Sequence, residues 1–165
     1  MLALIYFSPT MSALPQTISS SLTAYYQMIR TRVHELVEPL SHEQIWRRPY
    51  SYGNSVGNML LHLTGNLNYY IGAQIAATGY VRHRDREFSD NGMAKEELLA
   101  NFDRAIEMVI ATIKNQSGED WSTPYSAVGT QATDRFNMVL TCAGHAYHHI
   151  GQIIYLQKEL TRAGQ

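Results

Sequence analysis

Non-polar residues recur every three or four positions through four long stretches of the chain, and each stretch reads as one amphipathic helix. The first runs from about Thr17 to Glu38, with Ile18, Leu22, Tyr26, Ile29, Val33 and Leu36 along one side and Pro39 as its stop. The second runs from about Ser55 to Thr78, with Asn54 as N-cap and Gly79 as breaker. The third covers about Ala94 to Gln116, where Leu98, Phe102, Ile106, Val109 and Ile113 face one way and Gly118 follows. The fourth covers about Asp134 to Leu160. No stretch alternates strongly enough for a strand, and no segment repeats. The pattern predicts an all-α fold, a four-helix bundle.

The links between these helices are each about 15 residues, where two to eight is common in bundles. Links of that length allow crossovers between parallel neighbours, so an up-down-up-down order is not forced. They can also wall or cover a site. In the first link Ser41 and Gln44 have capping-box spacing, which predicts a short helix there. The second, GYVRHRDREFSDNG, is charged; the third carries Trp121 and Pro124 among polar residues.

Composition narrows the class. At 165 residues and 45% hydrophobic, the chain suits one globular domain with a substantial core. A formal net charge of −1 offers no basic excess for nucleic acid, and the apolar runs are too short to span a bilayer. Cys142 is alone, so no disulfide forms within the chain, and a reducing cytoplasmic setting is expected. The opening MLALIYFSPTMSALP has no basic residue ahead of a short apolar run, unlike a signal peptide. Residues 1–13 therefore read as an over-long start or disordered tail, and 14–162 as the four-helix domain.

The chemistry lies on the second and fourth helices. His145 and His149 stand one turn apart, and Met138, Cys142, Ile153 and Leu156 fall within about 40° of His149 on the helical wheel. Two adjacent inward imidazoles need partners for four ring nitrogens, and burying them unpaired is costly. A divalent metal takes one nitrogen from each ring and leaves the other free for a further bond. On the second helix Asn58, Asn66 and Tyr69 fall within about 40° of His62, while Met59, Leu60, Leu63, Leu67, Tyr70 and Ile71 occupy the adjoining face. No Asp, Glu, Lys or Arg occurs from Asn54 to Tyr80, so this polar line suggests a cavity wall or a helix contact rather than a solvated edge. Gly65 and Gly72 beside it would permit close helix approach. Joined across the core, His62, His145 and His149 make three nitrogen ligands with an open fourth position, the pattern of a catalytic zinc site. Imidazole also suits nickel, iron and copper. Asn58, Asn66, Tyr69 and Gln152 are the expected pocket residues. His148 lies about 100° from His149 and is expected to face a neighbour or solvent. Cys142 shares the stripe as a core residue; as a fourth ligand it would close the site. His34, His42 and His83 read as surface residues. Arg82, Arg84 and Arg86 alternate with His83, Asp85 and Glu87 as a solvated, self-paired loop, from which one arginine could reach a substrate carboxylate.

A His in mid-second-helix (SVGNMLLHLTGN), a His-x-x-x-His pair followed by Gly-Gln (HAYHHIGQI) and four helices with long links together resemble the DinB-like, or YfiT-like, metalloenzyme superfamily. The resemblance covers roughly Leu14 to Leu160, and RHRDREF is similar to the loop after the second helix in one uncharacterised branch. Ile150 stands where the superfamily often has Arg, which is not a metal ligand. The resemblance implies a bundle with crossover connections, metal ligands at His62, His145 and His149, a homodimer, and activity like that of thiol-dependent transferases and isomerases using low-molecular-weight thiols such as mycothiol or bacillithiol. The expected function is thus a transferase joining a small thiol to an electrophilic small molecule at zinc or nickel. The alternatives are a non-catalytic, stress-related metal-binding protein and a metal-dependent hydrolase. No acidic residue lies near the histidines on either site helix, which favours thiol activation over hydrolysis. The tyrosines Tyr25, Tyr69, Tyr70, Tyr147 and Tyr155 offer a semi-polar surface for a two-fold dimer.

Overall fold

The computed structural model describes residues 13–162. The expected extension over residues 1–13 lies outside them, except for Ala13, which opens the first helix.

Helix α1 spans Ala13–Val37 and buries Leu22, Tyr26, Ile29, Val33 and Leu36, the side selected by the three-or-four spacing. Tyr26 is fully buried, and its hydroxyl donates to the Val139 carbonyl at 2.8 Å, so the ring adds apolar area without stranding its polar tip. Helix α2, His42–Trp46, is the short helix expected in the first link. The Ser41 side chain accepts from Gln44 N–H while the Gln44 side chain accepts from Ser41 N–H, satisfying two otherwise unpaired donors. Helix α3, Val56–Leu67, starts one residue later than the sequence suggests. Ser55, not Asn54, is its N-cap, accepting from Asn58 N–H.

The chain continues from α3 as a π-helical stretch, Asn68–Ala73, and leaves the helix there, short of Thr78. Ala77 and Gly79 then take left-handed conformations, at φ 51° and 74°. Glycine suits that geometry and alanine does not, so Gly79 marks the end of the turn rather than of the helix. A π-turn inserts an extra residue per turn and rotates the residues beyond it to a different facing. The chain then forms α4, Arg86–Ser89; α5, Lys95–Lys114; α6, Gly118–Trp121, held by a second reciprocal cap between Ser117 and Asp120; and α7, Arg135–Arg162. Leu98, Phe102, Ile106, Val109 and Ile113 of α5 are buried as their spacing predicts.

Around the bundle, α1 packs on α5 and α7, and α3 packs on the same two, so α1 and α3 are diagonal. Directions follow from side-chain contacts. Ser19 meets the Ile113 carbonyl while Arg30 meets Asp103, so α5 runs against α1. Trp46, seated on Gly57 at the start of α3, donates to the Met93 carbonyl just before α5, and Gly72 lies against Met108; α3 and α5 are parallel. His62 meets His145, while Tyr70 reaches Gly129 ahead of α7, so α7 runs against α3. The order is up, down, down, up. The long second link is the crossover between parallel neighbours. At Gly57 a Cβ would lie 2.7 Å from the Trp46 ring, so glycine is what lets α2 seal this end of the core.

Candidate metal centre

The three histidines meet where α3 faces α7. His145 Nε2 lies 3.2 Å from His62 Nε2 and 3.1 Å from His149 Nε2. The rings stand steeply to one another, at 70–80°, so their Nε2 edges converge without stacking. His62 is buried, and His145 and His149 are half-buried.

This cluster is short of protons. His62 donates its Nδ1–H to Glu87 Oε2 at 2.7 Å, and His149 donates its Nδ1–H to Gln152 Oε1 at 2.7 Å. Neutral rings so arranged each present an Nε2 lone pair, and His145 Nε2 between them carries at most one proton. At least one lone pair therefore faces another. Adding protons is opposed: burial first, then the neighbouring His149 and His62, push His145 down to about 4. Burial also lowers His149, with His62 and His148 adding to the shift and Gln152 opposing it. His145 Nδ1 is buried without a partner among the described residues.

Glu87, from α4, was not among the expected site residues, because it is far from both site helices along the chain. It is 6% exposed, and Arg82 grips it with Nε at 2.7 Å from Oε1 and Nη2 at 2.8 Å from Oε2. Burial would raise its pKa, but the hydrogen bonds from His62 and Arg82 more than reverse this and hold the carboxyl below its ordinary value. The second link is thus self-paired as expected, but at Arg82 and Glu87 it is buried rather than solvated. Gly65 makes this possible: a Cβ there would overlap Glu87 Oε1 and come within 2.9 Å of its Cδ. Gly65 admits a carboxylate where the sequence suggested a neighbouring helix. The signal was present as a glycine three residues after His62 and a carboxylate in the following link, but spacing alone does not join them.

The other expected residues are placed as follows. Asn66 and Tyr69 line a cavity of about 580 Å³ beside His62 and His145. Tyr70 joins them, although a regular helix would put it on the apolar face; the π-helical turn brings both tyrosines to one side. Asn58 does not line this cavity. Its amide donates to the Glu87 and Asp90 carbonyls and accepts from Ser55 and Arg48, which fixes the second link onto α3. Gln152 does not line it either and acts through His149. His148 is exposed, as expected. Cys142 borders the cavity but stands outside the histidine cluster, and burial pushes its thiol up to about 12. His42 and His83 are exposed; His34 is half-buried, bonded to Asp103 at 2.9 Å and Glu38 at 3.2 Å. The cavity's rim comes from two links, Arg82 and Arg84 on one side and Val128–Thr130 on the other. Tyr70 ties the second of these walls to the π-helical stretch by donating to the Gly129 carbonyl at 3.2 Å.

Among the described residues, no helix is long and apolar enough to cross a membrane. Among curated proteins none matches the chain. Among solved structures it is similar to the crystal structure of a conserved protein from Enterococcus faecalis, with a TM-score of 0.71 over 87% of this chain and 96% of that one. At 15% identity this likeness shows the all-α fold alone. The model of a family described as a protein of unknown function, DUF1572, matches residues 16–164, and the chain belongs to that family.

Proposed function

We propose that His62, His145 and His149 hold a divalent transition metal, zinc or nickel, and that the protein is a transferase joining a small thiol to an electrophilic small molecule. The observation that carries the metal reading is the convergence of three Nε2 atoms with too few protons to satisfy them. A tetrahedral ion at 2.0–2.1 Å from each imidazole would separate the ligand nitrogens by about 3.3 Å; the two pairs that share His145 stand at 3.1–3.2 Å, and all three ligand atoms lie within 4.8 Å of one another. Bound there, the metal would supply a Lewis acid that lowers the pKa of a thiol or water at its open position.

The protein's own residues hold this arrangement. Glu87 fixes the tautomer of His62, Arg82 keeps Glu87 ionised, and Gln152 fixes the tautomer of His149. Glu87 is fully engaged by these two partners, so it is no free base for hydrolysis, and this favours the thiol over water as nucleophile. The cavity beside the histidines favours catalysis over passive metal storage. The resemblance to the DinB-like superfamily supports the same reading, as it does a homodimer, and the lone Cys142 supports a reducing, cytoplasmic setting. For the dimer, Tyr155 is 76% exposed and Tyr25, its ring tilted against that of Tyr147, is 37% exposed; Tyr69 and Tyr70 turn to the cavity instead.

The test is metal analysis of the natively purified protein. It is followed by incubation with glutathione or the bacterial low-molecular-weight thiols and a chlorinated electrophile. One equivalent of metal and adduct formation that His145→Ala abolishes are expected. A protein that takes up no zinc or nickel removes the reading; one that binds metal without turning over any thiol reduces it to a metal-binding protein.

A further inference from the structure

The cavity beside the histidines has a second polar end that the metal reading does not use. Two guanidiniums border it. That of Arg82 is neutralised by its two-pronged pair with Glu87. That of Arg84 has no carboxylate partner among the described residues; it lies 5.2 Å over the Phe88 ring, which itself packs 5.0 Å from the His62 ring. No Asp or Glu lines the cavity, so the Arg84 cation gives it an uncompensated positive charge.

Asn66 is the second, independent observation. It stands one helical turn beyond His62 on the same side of α3, is 7% exposed, and its Oδ1 is buried without a partner among the described residues. A buried amide without partners costs free energy, and such groups in folded proteins usually have them. Here the amide borders the cavity, and although its oxygen has no accessible surface as placed, a turn about χ2 would bring it to a ligand that supplies the missing bond. Tyr69, Tyr70 and Met138 give the remaining wall a flat, apolar character.

We infer that this cavity takes a small carboxylate that also carries an amide, a peptide-like acid, with its carboxylate on Arg84, its amide on Asn66 and its apolar body against Tyr69 and Tyr70. Guanidinium and carboxylate match in a charge-assisted pair, and two amides can exchange a donor and an acceptor. The volume of about 580 Å³ accommodates a molecule of that size. The inference rests on the proposed function for the cavity being a substrate site, but the recognition itself uses only side chains and needs no metal.

The experiment titrates three probes into the full-length, chelator-treated protein by calorimetry: N-acetyl-phenylalanine, its methyl ester and hydrocinnamate. The free acid should bind about tenfold tighter than the ester, the difference expected of one charge-assisted contact. Arg84→Gln, at an exposed position, should abolish that difference by weakening acid binding, with a cooperative melting curve showing that the variant is folded. Asn66→Leu should erase the preference for N-acetyl-phenylalanine over hydrocinnamate, which lacks the amide. Equal binding of acid and ester, a preference that survives Arg84→Gln, or no binding of any probe would overturn the inference. A zinc titration of the same samples separates the two readings. Acid binding without zinc uptake leaves this inference standing and removes the metal, and zinc uptake without acid selectivity does the reverse.

Discussion

Gly65→Ala is the sharpest single test of how the site is held. Judged from helix propensity alone, replacing an interior glycine by alanine should stabilise α3 by about 1 kcal/mol. The tertiary structure reverses the sign. The added carbon falls on Glu87 Oε1, and the carboxylate has no room to yield while Arg82 and His62 hold both oxygens at 2.7–2.8 Å. The backbone of residue 87 is pinned as well, by Asn58. Displacing the carboxylate leaves Arg82, whose side chain is only 10% exposed, without its counter-charge. Breaking a buried pair costs about 3–5 kcal/mol, so the net loss is about 2–4 kcal/mol after the propensity gain. For a domain of this size that lowers Tm by roughly 4–16 °C. The assay is thermal and urea unfolding of the metal-free protein, with Gly151→Ala as control. No atom lies within 4 Å of a Cβ at Gly151, so that variant should be slightly more stable than wild type. Zinc affinity should fall about 10–100-fold in Gly65→Ala through the loosened His62. A Gly65→Ala protein as stable as the Gly151→Ala control, with unchanged zinc affinity, would refute the reasoning.

Zinc should raise Tm of the wild-type protein by mass action and have no such effect on His149→Ala; identical melting curves of the wild type with and without chelator would count against a tight site. Asp103→Asn should flatten the pH dependence of stability. The Asp103 pKa is lowered: burial opposes this, but the hydrogen bonds from Arg30 and His34 outweigh it. Its contribution is therefore present above the ordinary value of 3.8 and lost as pH falls through the folded one. The His34 pKa is raised: burial again opposes, and Asp103 and Glu38 outweigh it, so its contribution is full below 6.5 and lost as pH rises through the folded value. The wild type should exceed Asp103→Asn most between those two values, by no more than about 1 kcal/mol for a half-buried cluster that solvent still screens, read as the difference in Tm across a pH series. Cys142, with its thiol pushed up to about 12 by burial, should resist a thiol-specific reagent in the native state and react once urea unfolds the protein; fast native labelling would mean the cavity opens to it. Light scattering at micromolar concentration should give twice the chain mass if the tyrosine surface of α1 and α7 forms a dimer, and a monomer mass removes that proposal.

The four helices were legible in the sequence because each carries an apolar stripe long enough to override any local ambiguity, and burial of Ile29, Phe102 and Ile153 follows from period alone. The capping box at Ser41 was legible for the same reason: it is a local contact between residues three apart. The facing of His62, His145 and His149 could also be read, since helical geometry places each on an inward stripe before any packing is known. Glu87, Arg82 and Gly65 belong to a different class of information. They are joined across a link whose path depends on how α3 and α5 pack in parallel, and no periodicity reports that path. The turn of Tyr70 toward the cavity depends on a π-helical stretch that a 3.6-residue wheel cannot contain. The removal of Asn58 from the cavity wall is also long-range, set by the path of the second link, whereas Gln152 is drawn off by His149, three residues away on its own helix. The Glu87 and Asp90 carbonyls become neighbours of Asn58 once the backbone is in place, and for both side chains a nearer hydrogen bond takes precedence over an open cavity. Local period thus determined which faces turn inward, and the long-range packing of helices and links decided which inward groups meet.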